Sequence, residues 1–377
     1  MIIKNGQVFD LEHGFVNRDL YIEGTHIVSE PQNADTLLDA TDCYVIPGLI
    51  DLHFHGALGE DFSDASLEGL QKIADYELSE GITYICPAGM TLPEEQLTKI
   101  CKTTALHRAQ STSGAEVVGA HLEGPFLSMA KKGAQNGAFL HDPDIDMLNR
   151  LQDTANGAVK LVTVAPEQPN GLAFIEAASQ SGITVSLGHT TADYQTASEA
   201  YAAGAAQATH LYNGMPSFLH RDPGVIGAAF DAPHAKVELI CDGIHVHPSV
   251  IRATFQMFGA DRVILISDSL RAAGMPDGIY PFGGQEIEVC GNRATIARHP
   301  ETLAGSVTSL MGCLRKAVSF GIPLADAVRA ASYNPAQALK IDDRAGSLDA
   351  GKEASLILLE KETLAIKTII FKGTVVR

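Results

Sequence analysis

Residues 47–56 have the sequence PGLIDLHFHG, in which an apolar run leads into Asp51, His53 and His55. A short apolar run bounded by glycine and proline is typical of a strand that is buried on both faces of a parallel sheet. His53 and His55 are two positions apart, so on a strand both side chains point to the same side. The segment therefore predicts a buried strand that carries two imidazoles at its carboxyl end.

The same rhythm continues through the middle of the chain. Eight short apolar runs end near Asp51, Cys86, Leu122, Val164, Leu187, Leu211, Cys241 and Ser267. Helix-like segments lie between them, such as residues 67–80, 94–109, 191–203 and 248–258. Parallel strands need a crossover, usually a helix, and eight such units over about 290 residues have the size of a TIM-type (β/α)8 barrel. A doubly wound open sheet produces the same periodicity, so the sequence pattern by itself does not exclude it.

The two ends of the chain have a different character, with short alternating runs between turn signals. We predict an α/β fold in which residues 1–46 and 340–377 form one small β-sandwich domain and residues 47–339 form the barrel. Residues 271–305 follow the eighth run and contain a predicted β-hairpin around Gly291 and Asn292. Because the insertion follows a barrel strand, we expect it to form a wall or lid on the catalytic face.

Composition excludes several classes of partner. The formal net charge of −18 argues against a nucleic-acid partner, which would need a basic face. The N-terminus lacks the pattern of a signal peptide, and no stretch approaches the about 18–20 apolar residues that span a bilayer. The six cysteines are scattered, which favours free thiols over a disulfide framework. These features predict a cytoplasmic protein without a membrane partner.

Polar residues close most of the predicted strands, and in a TIM barrel the chemistry lies at those ends. The residues concerned are His53, His55, Glu123, His189, His210 and Asp268. Any one of them alone could be an ordinary hydrogen-bonded structural residue. Imidazole nitrogens and carboxylate oxygens together are ligands for zinc, iron or another divalent metal, so their joint occurrence predicts a metal site at the barrel mouth.

The remaining histidines receive no role in this interpretation. We expect solvated side chains at His13, His26, His107, His141, His234 and His299. His121 precedes Glu123 by two residues, so it lies either away from the metal site or deeper on the same face, and it stays unassigned.

From end to end the sequence resembles the N-acetylglucosamine-6-phosphate deacetylases of the amidohydrolase superfamily. The resemblance rests on segments 47–56, 121–126, 188–190, 209–215, 220–224, 242–245, 267–268 and 303–306. The Leu-Glu-Gly-Pro segment at 122–125 and the Thr-His-Leu-Tyr-Asn segment at 209–213 are the most specific of these.

The resemblance implies a role for individual residues. Glu123, His189 and His210 would be ligands of the principal metal, His53 and His55 ligands of a second metal site, and Asp268 the catalytic base. Gln135 would contact the substrate carbonyl, and the substrate phosphate would meet the backbone N–H groups of Asn213 and Gly214, with His245 beside them. Arg221 would reach the phosphate in the neighbouring subunit, which implies a homodimer.

The implied reaction removes the acetyl group of an N-acetyl amino-sugar 6-phosphate. A divalent metal would activate water and polarise the amide carbonyl, while Asp268 would accept the water proton and pass it to the departing amine. Gly214, Gln135 and Ser269 depart from the commonest family pattern, which leaves the gluco or galacto epimer open. The sequence is also compatible with a different metal-dependent amidohydrolase activity and with a non-enzymatic barrel that binds sugar phosphate as a sensor.

Overall fold

Both ends of the chain supply β-strands in the computed structural model, which describes residues 1–30 and 36–377. Residues 31–35, part of the predicted terminal domain, lie outside the described residues. The N-terminal strands are β1 (Ile2–Lys4), β2 (Gln7–Asp10), β3 (Gly14–Asn17), β4 (Leu20–Glu23), β5 (His26–Val28), β6 (Leu37–Asp39) and β7 (Cys43–Pro47).

The middle of the chain alternates strands and helices, as predicted. Its strands are β8 (Leu49–Asp51), β9 (Gly56–Ala57), β10 (Glu60–Asp61), β11 (Ile82–Ile85), β12 (Ala88–Gly89), β13 (Glu116–Val117), β14 (Ala120–Glu123), β15 (Val159–Val164), β16 (Thr184–Leu187), β17 (Gln207–Ala208), β18 (Lys236–Ile240) and β19 (Val263–Ile266). Its helices are α1 (Leu67–Ser79), α2 (Glu94–Gln110), α3 (Ile145–Thr154), α4 (Gly171–Gln180), α5 (Tyr194–Ala202), α6 (Gly224–Asp231) and α7 (Pro248–Phe258). Short 3-10 turns occupy Phe62–Asp64, Met129–Lys131 and Gly137–Phe139.

The parallel strands form two ladders, and within each ladder neighbouring strands come in the order of the chain. The first ladder is β8-β11-β13 and the second is β12-β14-β15-β16-β17-β18-β19. The Asp268 N–H donates to the His53 carbonyl at 3.0 Å, which brings the end of the last strand back to the end of the first. A doubly wound sheet reverses its strand order at a switch point. The observed order therefore favours the barrel over the open sheet.

Helix starts agree with local capping chemistry. Helix α1 begins after Ser66, whose side chain accepts from the Gly69 N–H, and α7 begins with Pro248. An N-cap hydroxyl satisfies one of the free amides of the first turn, and proline fits the first helical position because it has no N–H to satisfy. These signals explain why predicted and observed helix starts agree closely at α1 and α7.

The predicted insertion after the eighth strand forms a sheet of four antiparallel strands. They are β20 (Gly278–Phe282), β21 (Gln285–Cys290), β22 (Arg293–Ile296) and β23 (His299–Leu303), in the order β20-β21-β22-β23. The predicted hairpin is confirmed, with Cys290 paired to Arg293 across the turn. The insertion has a small core of its own, which includes Phe282, Ile287 and Val289.

The C-terminal part returns the chain to the first sheet. It contains α8 (Leu310–Ser319), α9 (Leu324–Ala331), α10 (Tyr333–Ala338), β24 (Leu356–Glu360), β25 (Ile366–Phe371) and β26 (Thr374–Val375). The last three strands join the first part of the chain in the sheet β26-β25-β24-β7-β2-β3, and a second sheet has the order β5-β4-β1-β6. Both chain ends thus contribute to one sheet.

A buried apolar cluster fills the end of the barrel that lies away from the polar strand ends. Ile50, Tyr84 and Ile264 project into it from three strands, and Leu339 and Ile341 pack against them from the C-terminal segment. Because this end is packed with side chains, the accessible chemistry is confined to the opposite mouth. Within the described residues, no helix combines the length and hydrophobicity needed to cross a bilayer.

Candidate active site

The carboxylate of Glu123 lies among four imidazoles at the barrel mouth. Its Oε1 is 3.1 Å from Nε2 of both His189 and His210 and 3.5 Å from Nε2 of His53. Its Oε2 is 3.3 Å from Nε2 of His55. All five side chains are buried. The structure therefore brings together every predicted metal ligand, with Glu123 shared between a His53–His55 group and a His189–His210 group.

Hydrogen bonds fix the tautomers of three of these rings. In each, Nδ1 faces an oxygen that can only accept, so Nδ1 carries the hydrogen and Nε2 presents its lone pair. The three bonds run from His53 to Oε2 of Glu238 (2.7 Å), from His55 to the Ala88 carbonyl (3.1 Å) and from His189 to the Lys131 carbonyl (2.7 Å). Histidines that bind metals are oriented in this way by their second nitrogen.

The Nε2 atoms that face the site have other hydrogen-bond acceptors as neighbours, although each lone pair needs a donor. Nε2 of His53 is buried without a hydrogen-bond partner among the described residues, and Nε2 of His189 lies 3.1 Å from Oε1 of Glu123. Buried lone pairs that face one another are unfavourable unless a cation lies between them. The residues present therefore fit a divalent metal bound by Glu123, His189 and His210, and a second one bound by Glu123, His53 and His55.

Three of the site residues have left-handed backbone conformations. The φ angles are 47° at His189, 28° at His210 and 48° at Asp268. Residues with side chains rarely adopt this region, at a cost of roughly 1–3 kcal/mol each, and such strain is concentrated at functional sites. The turn at His210 also explains why β17 ends at Ala208, three residues before the predicted end near Leu211.

Asp268 faces the same group of imidazoles. Its Oδ1 lies 3.3 Å from Nε2 of His55 and 3.9 Å from Nε2 of His53. Burial alone would raise the pKa of Asp268, but without a metal the protonated forms of His55 and His53, through a hydrogen bond from His55 and their positive charges, lower it below its ordinary value. An ionised carboxylate at this position is able to accept a proton.

A cavity of about 320 Å³ opens above Glu123 and Asp268. Its walls include Phe282 and residues 301–305, so the insertion forms one wall of the site, as expected. The predicted site residues that line the cavity are His55, Glu123, Gln135, His189, His210, Asn213, Gly214, His245 and Asp268. His53 lies beneath, fully buried.

The predicted substrate contacts are partly engaged within the chain itself. Gln135 donates from Nε2 to Oε2 of Glu123 (2.7 Å), and its Oε1 accepts from the Thr91 N–H (2.7 Å). The Asn213 N–H donates to the His210 carbonyl (2.9 Å). Of the two predicted backbone donors, the N–H of Asn213 is thus already used in a local turn.

Both ring nitrogens of His245 are likewise engaged within the chain, although His245 lines the same cavity as Asn213 and Gly214. Its Nδ1 lies 2.7 Å from Oδ2 of Asp242, and its Nε2 lies 2.9 Å from the Ala304 carbonyl in the cavity wall. Burial alone would lower the pKa of His245, but the hydrogen bond and the charge of Asp242 raise it. His245 therefore brings a positive charge to the cavity and holds its wall in place.

Arg221 stands apart from the other predicted residues. It is exposed, and it does not line the cavity of its own chain. The exposed side chains of Phe218 and Leu219 precede it in the same loop. A single chain therefore leaves the cavity without this guanidinium.

Several structural roles were missed by sequence reasoning. Glu238 is fully buried on β18 and accepts from both Nδ1 of His53 and the His210 N–H. The available signal was a glutamate inside an apolar run, because a buried carboxylate needs partners. His121 lies under the site, with its ring edge-on to His53 at 4.5 Å between centroids and its Nε2 bonded to Thr163.

The expectation that His107 is solvated was wrong. Its side chain is 2 % exposed, and neither ring nitrogen has a hydrogen-bond partner among the described residues. On α2 this residue continues, at helical spacing, the buried face of Leu97, Ile100 and Thr104, so the helical periodicity overrides the polar character of the side chain.

The chain is similar in sequence to known hydrolases and to one family profile. The profile of the Amidohydrolase family matches residues 44–376. The N-acetylglucosamine-6-phosphate deacetylase of Lysinibacillus sphaericus is 36% identical over 374 residues, which cover 98% of this chain and 96% of that protein. The chain belongs to the amidohydrolase family, among the N-acetylglucosamine-6-phosphate deacetylases.

Two further deacetylases are similar to this amidohydrolase. The N-acetylgalactosamine-6-phosphate deacetylase of Escherichia coli O157:H7 is 35% identical over 315 residues, which cover 83% of both chains. The structure of a mutant of the Mycobacterium smegmatis N-acetyl-D-glucosamine-6-phosphate deacetylase, in complex with N-acetyl-D-glucosamine 6-phosphate, matches this chain with a TM-score of 0.92 and 33% identity. That alignment covers 100% of this chain and 98% of the mycobacterial one.

Proposed function

We propose that this amidohydrolase cleaves the acetamide of N-acetyl-D-glucosamine 6-phosphate and releases acetate and D-glucosamine 6-phosphate. The observation that carries the proposal is the shared position of Glu123 among four imidazoles, with Asp268 facing the same cavity. The similarity to the Lysinibacillus sphaericus deacetylase over nearly the whole chain supports the substrate.

The chain's own residues divide the work of amide hydrolysis. A divalent ion, when bound, lowers the pKa of water and polarises a carbonyl. Glu123, His189 and His210 would hold the principal ion, and His53 and His55 would hold a second one with Glu123. Asp268 would accept the proton of the attacking water and return it to the departing amine, because the step needs first a base and then an acid.

Gln135 has a second amide hydrogen beyond the one that it donates to Glu123. That hydrogen is available to the acetyl oxygen as negative charge develops on it, and preorganised donors of this kind stabilise the transition state. The bond from the Thr91 N–H to Oε1 fixes which end of the amide faces the cavity.

Phosphate recognition would combine a local positive charge with an arginine from a second chain. His245 supplies the charge beside the cavity, and the Gly214 N–H supplies a backbone donor. We propose that the protein is a homodimer in which Arg221 completes the phosphate site of the partner, since its planar guanidinium binds phosphate bidentately. The exposed Phe218 and Leu219 in the same loop support a contact surface there.

Three finer points complete the proposal. Residues 1–46 and 340–377 would form a β-sandwich domain beside a barrel of residues 47–339, which the sheet shared by both chain ends supports. The metals would be zinc or iron, for which imidazole and carboxylate are suitable ligands. Free cysteines, five of them buried, support a location in the cytoplasm.

The test is acetate release by the metal-loaded protein from four sugars: the gluco and galacto N-acetylhexosamine 6-phosphates and their unphosphorylated forms. We expect the gluco 6-phosphate to be hydrolysed fastest. The galacto epimer is the second candidate because the Escherichia coli O157:H7 relative is named for it. Absence of acetate release from both phosphorylated sugars would refute the proposal.

A further inference from the structure

Glu238 connects the two groups of candidate metal ligands, although it belongs to neither. It lies on β18, is fully buried, and uses its two carboxylate oxygens differently. Oε2 accepts from Nδ1 of His53 at 2.7 Å and from the His210 N–H at 3.0 Å, while Oε1 accepts from Nε2 of Gln207. One carboxylate therefore touches a ligand of each group.

The bond to His53 controls which nitrogen faces the site. His53 has its Nε2 3.5 Å from Oε1 of Glu123, and a ring flip or a tautomer change would replace that lone pair with an N–H or a C–H. With a carboxylate on Nδ1, the hydrogen stays on that side. A carboxylate partner also raises the basicity of the other nitrogen, which strengthens its bond to a metal.

The bond to His210 holds the backbone at a strained position. The φ angle of His210 is 28°, and such a conformation persists only when its surroundings fix it. The Leu211 N–H also bonds to the Glu238 carbonyl at 2.8 Å, so the backbone at 210–211 is tied to Glu238 through two separate hydrogen bonds. The orientation of His210 thus has support that the ring of His53 lacks.

We propose that Glu238 is a positioning residue that sets the affinity of the metal site formed by His53, His55 and Glu123. It acts through Nδ1 of His53. Its side chain has less effect on the metal affinity of the site formed by Glu123, His189 and His210, because the hydrogen bond from the Leu211 N–H to the Glu238 carbonyl still holds the backbone there. The inference rests on the proposed role of these histidines as metal ligands, but not on the substrate or on hydrolysis.

Two variants separate orientation from charge. Glu238→Ala removes the acceptor for both Nδ1 of His53 and the His210 N–H. Glu238→Gln keeps an oxygen for these two donors. Oε1 of Gln207 is buried without a partner among the described residues, so the new amide N–H can donate to it if the Gln207 amide turns over. The Gln variant therefore retains the shape of the network and loses only the negative charge.

Glu77→Gln is the matched control. Glu77 is another buried glutamate, on helix α1, and its Oε2 has no hydrogen-bond partner among the described residues. Its replacement removes a buried carboxylic group that contacts none of the candidate ligands in a hydrogen bond. We expect this variant to bind metal as the unchanged protein does.

The experiment measures binding of Zn²⁺ alone, by titration of the full-length metal-free protein against a chromogenic chelator. Bound zinc is counted by elemental analysis, and Co²⁺ absorption spectra report the coordination of each site. We expect the second ion to bind about 10–100-fold more weakly in Glu238→Ala. In Glu238→Gln we expect a smaller loss of affinity for this second ion. In both variants we expect the affinity for the first ion, bound by Glu123, His189 and His210, to change less than the affinity for the second ion.

Wild-type affinity for two ions in both Glu238 variants would overturn the proposal, as would equal weakening of both ions. If Glu238→Ala fails to fold, Glu238→Gln decides alone, and an unchanged second dissociation constant would overturn it. Because these measurements use no sugar, a protein that binds two ions but releases no acetate would refute the proposed reaction and leave this inference standing.

Discussion

Oδ1 of Asp268 lies 3.3 Å from Nε2 of His55, at the edge of the group of imidazoles around Glu123. Asp268 belongs to neither of the two groups of candidate metal ligands. Its carboxylate is therefore free to act on protons while the other side chains hold the metal.

The first prediction separates these two roles. Asp268→Asn should lower turnover by about 100- to 10,000-fold, the usual contribution of a positioned acid or base. The metal content should stay unchanged, because the ligand groups are intact. Turnover is measured as acetate release and metal by elemental analysis on the same sample. Asp153→Asn, at an exposed position of α3, is the control and should behave as wild type.

A second prediction concerns Arg221 and the partner chain. Arg221→Ala should raise KM for the 6-phosphate by roughly 10- to 100-fold, since a hydrogen bond to a charged group contributes about 1.5–3 kcal/mol. The unphosphorylated sugar should show no change in KM, because it has no group for the guanidinium to bind.

Co-expression of Arg221→Ala with Asp268→Asn tests whether the arginine acts across the dimer. In a mixed dimer, the chain with intact Asp268 receives Arg221 from its partner, so one complete site forms. We expect the mixture to be more active than either variant alone. Activity no greater than that of the separate variants would place the arginine in its own chain or outside the site.

The third prediction is a pH dependence that originates at His245. Its raised pKa means that the protonated form is favoured by folding, through Oδ2 of Asp242. The stabilisation is complete below the ordinary histidine pKa of 6.5 and is lost as the pH rises through the raised folded value.

His245→Gln should therefore lower the free energy of unfolding by about 1.5–3 kcal/mol near pH 6. This difference from wild type should shrink as the pH rises. Denaturant unfolding at a series of pH values measures it. A difference that grows with pH would contradict a protonated His245.

The fourth prediction concerns metal removal. Chelation should abolish acetate release and lower the midpoint of thermal unfolding, because an ion that binds only the folded state stabilises it by mass action. The stabilisation is about 4.1 kcal/mol when the free ion is at 1,000 times its dissociation constant. Return of zinc should restore both properties, whereas return of Mg²⁺, which prefers oxygen ligands, should not. Full activity after exhaustive chelation would contradict the assignment of the ligands.

The residues at the strand ends were predictable because one sequence pattern, an apolar run followed by a polar residue, marks both the buried strand and its functional side chain. At Glu123 and His189 an apolar run stops at one polar residue, and parallel strands bring all such residues to one mouth. The mutual distances and tautomers were not predictable in this way. They depend on bonds to the Ala88 and Lys131 carbonyls, which come from loops whose paths the periodicity does not define.

The insertion shows where local signals become too weak. Its central hairpin was predicted from alternation around Gly291, but β20 and β23 were not. Strand β20 contains Pro281, which is tolerated because this strand is at the edge of the sheet, and β23 has the sequence HPETL without an alternating apolar pattern. Pairing with neighbouring strands, not propensity, makes these segments extended.

The small core of the insertion allows the substrate range to diverge without any change in the hydrolytic machinery. Phe282 reaches the cavity from a sheet that Ile287 and Val289 stabilise from within, whereas the histidines and carboxylates are held by the barrel strands. Replacement, lengthening or loss of this sheet would reshape one boundary of the chamber and leave the proton and metal chemistry in place. Homologous enzymes with the same catalytic residues would in this way accept different sugars through changes in this one inserted sheet.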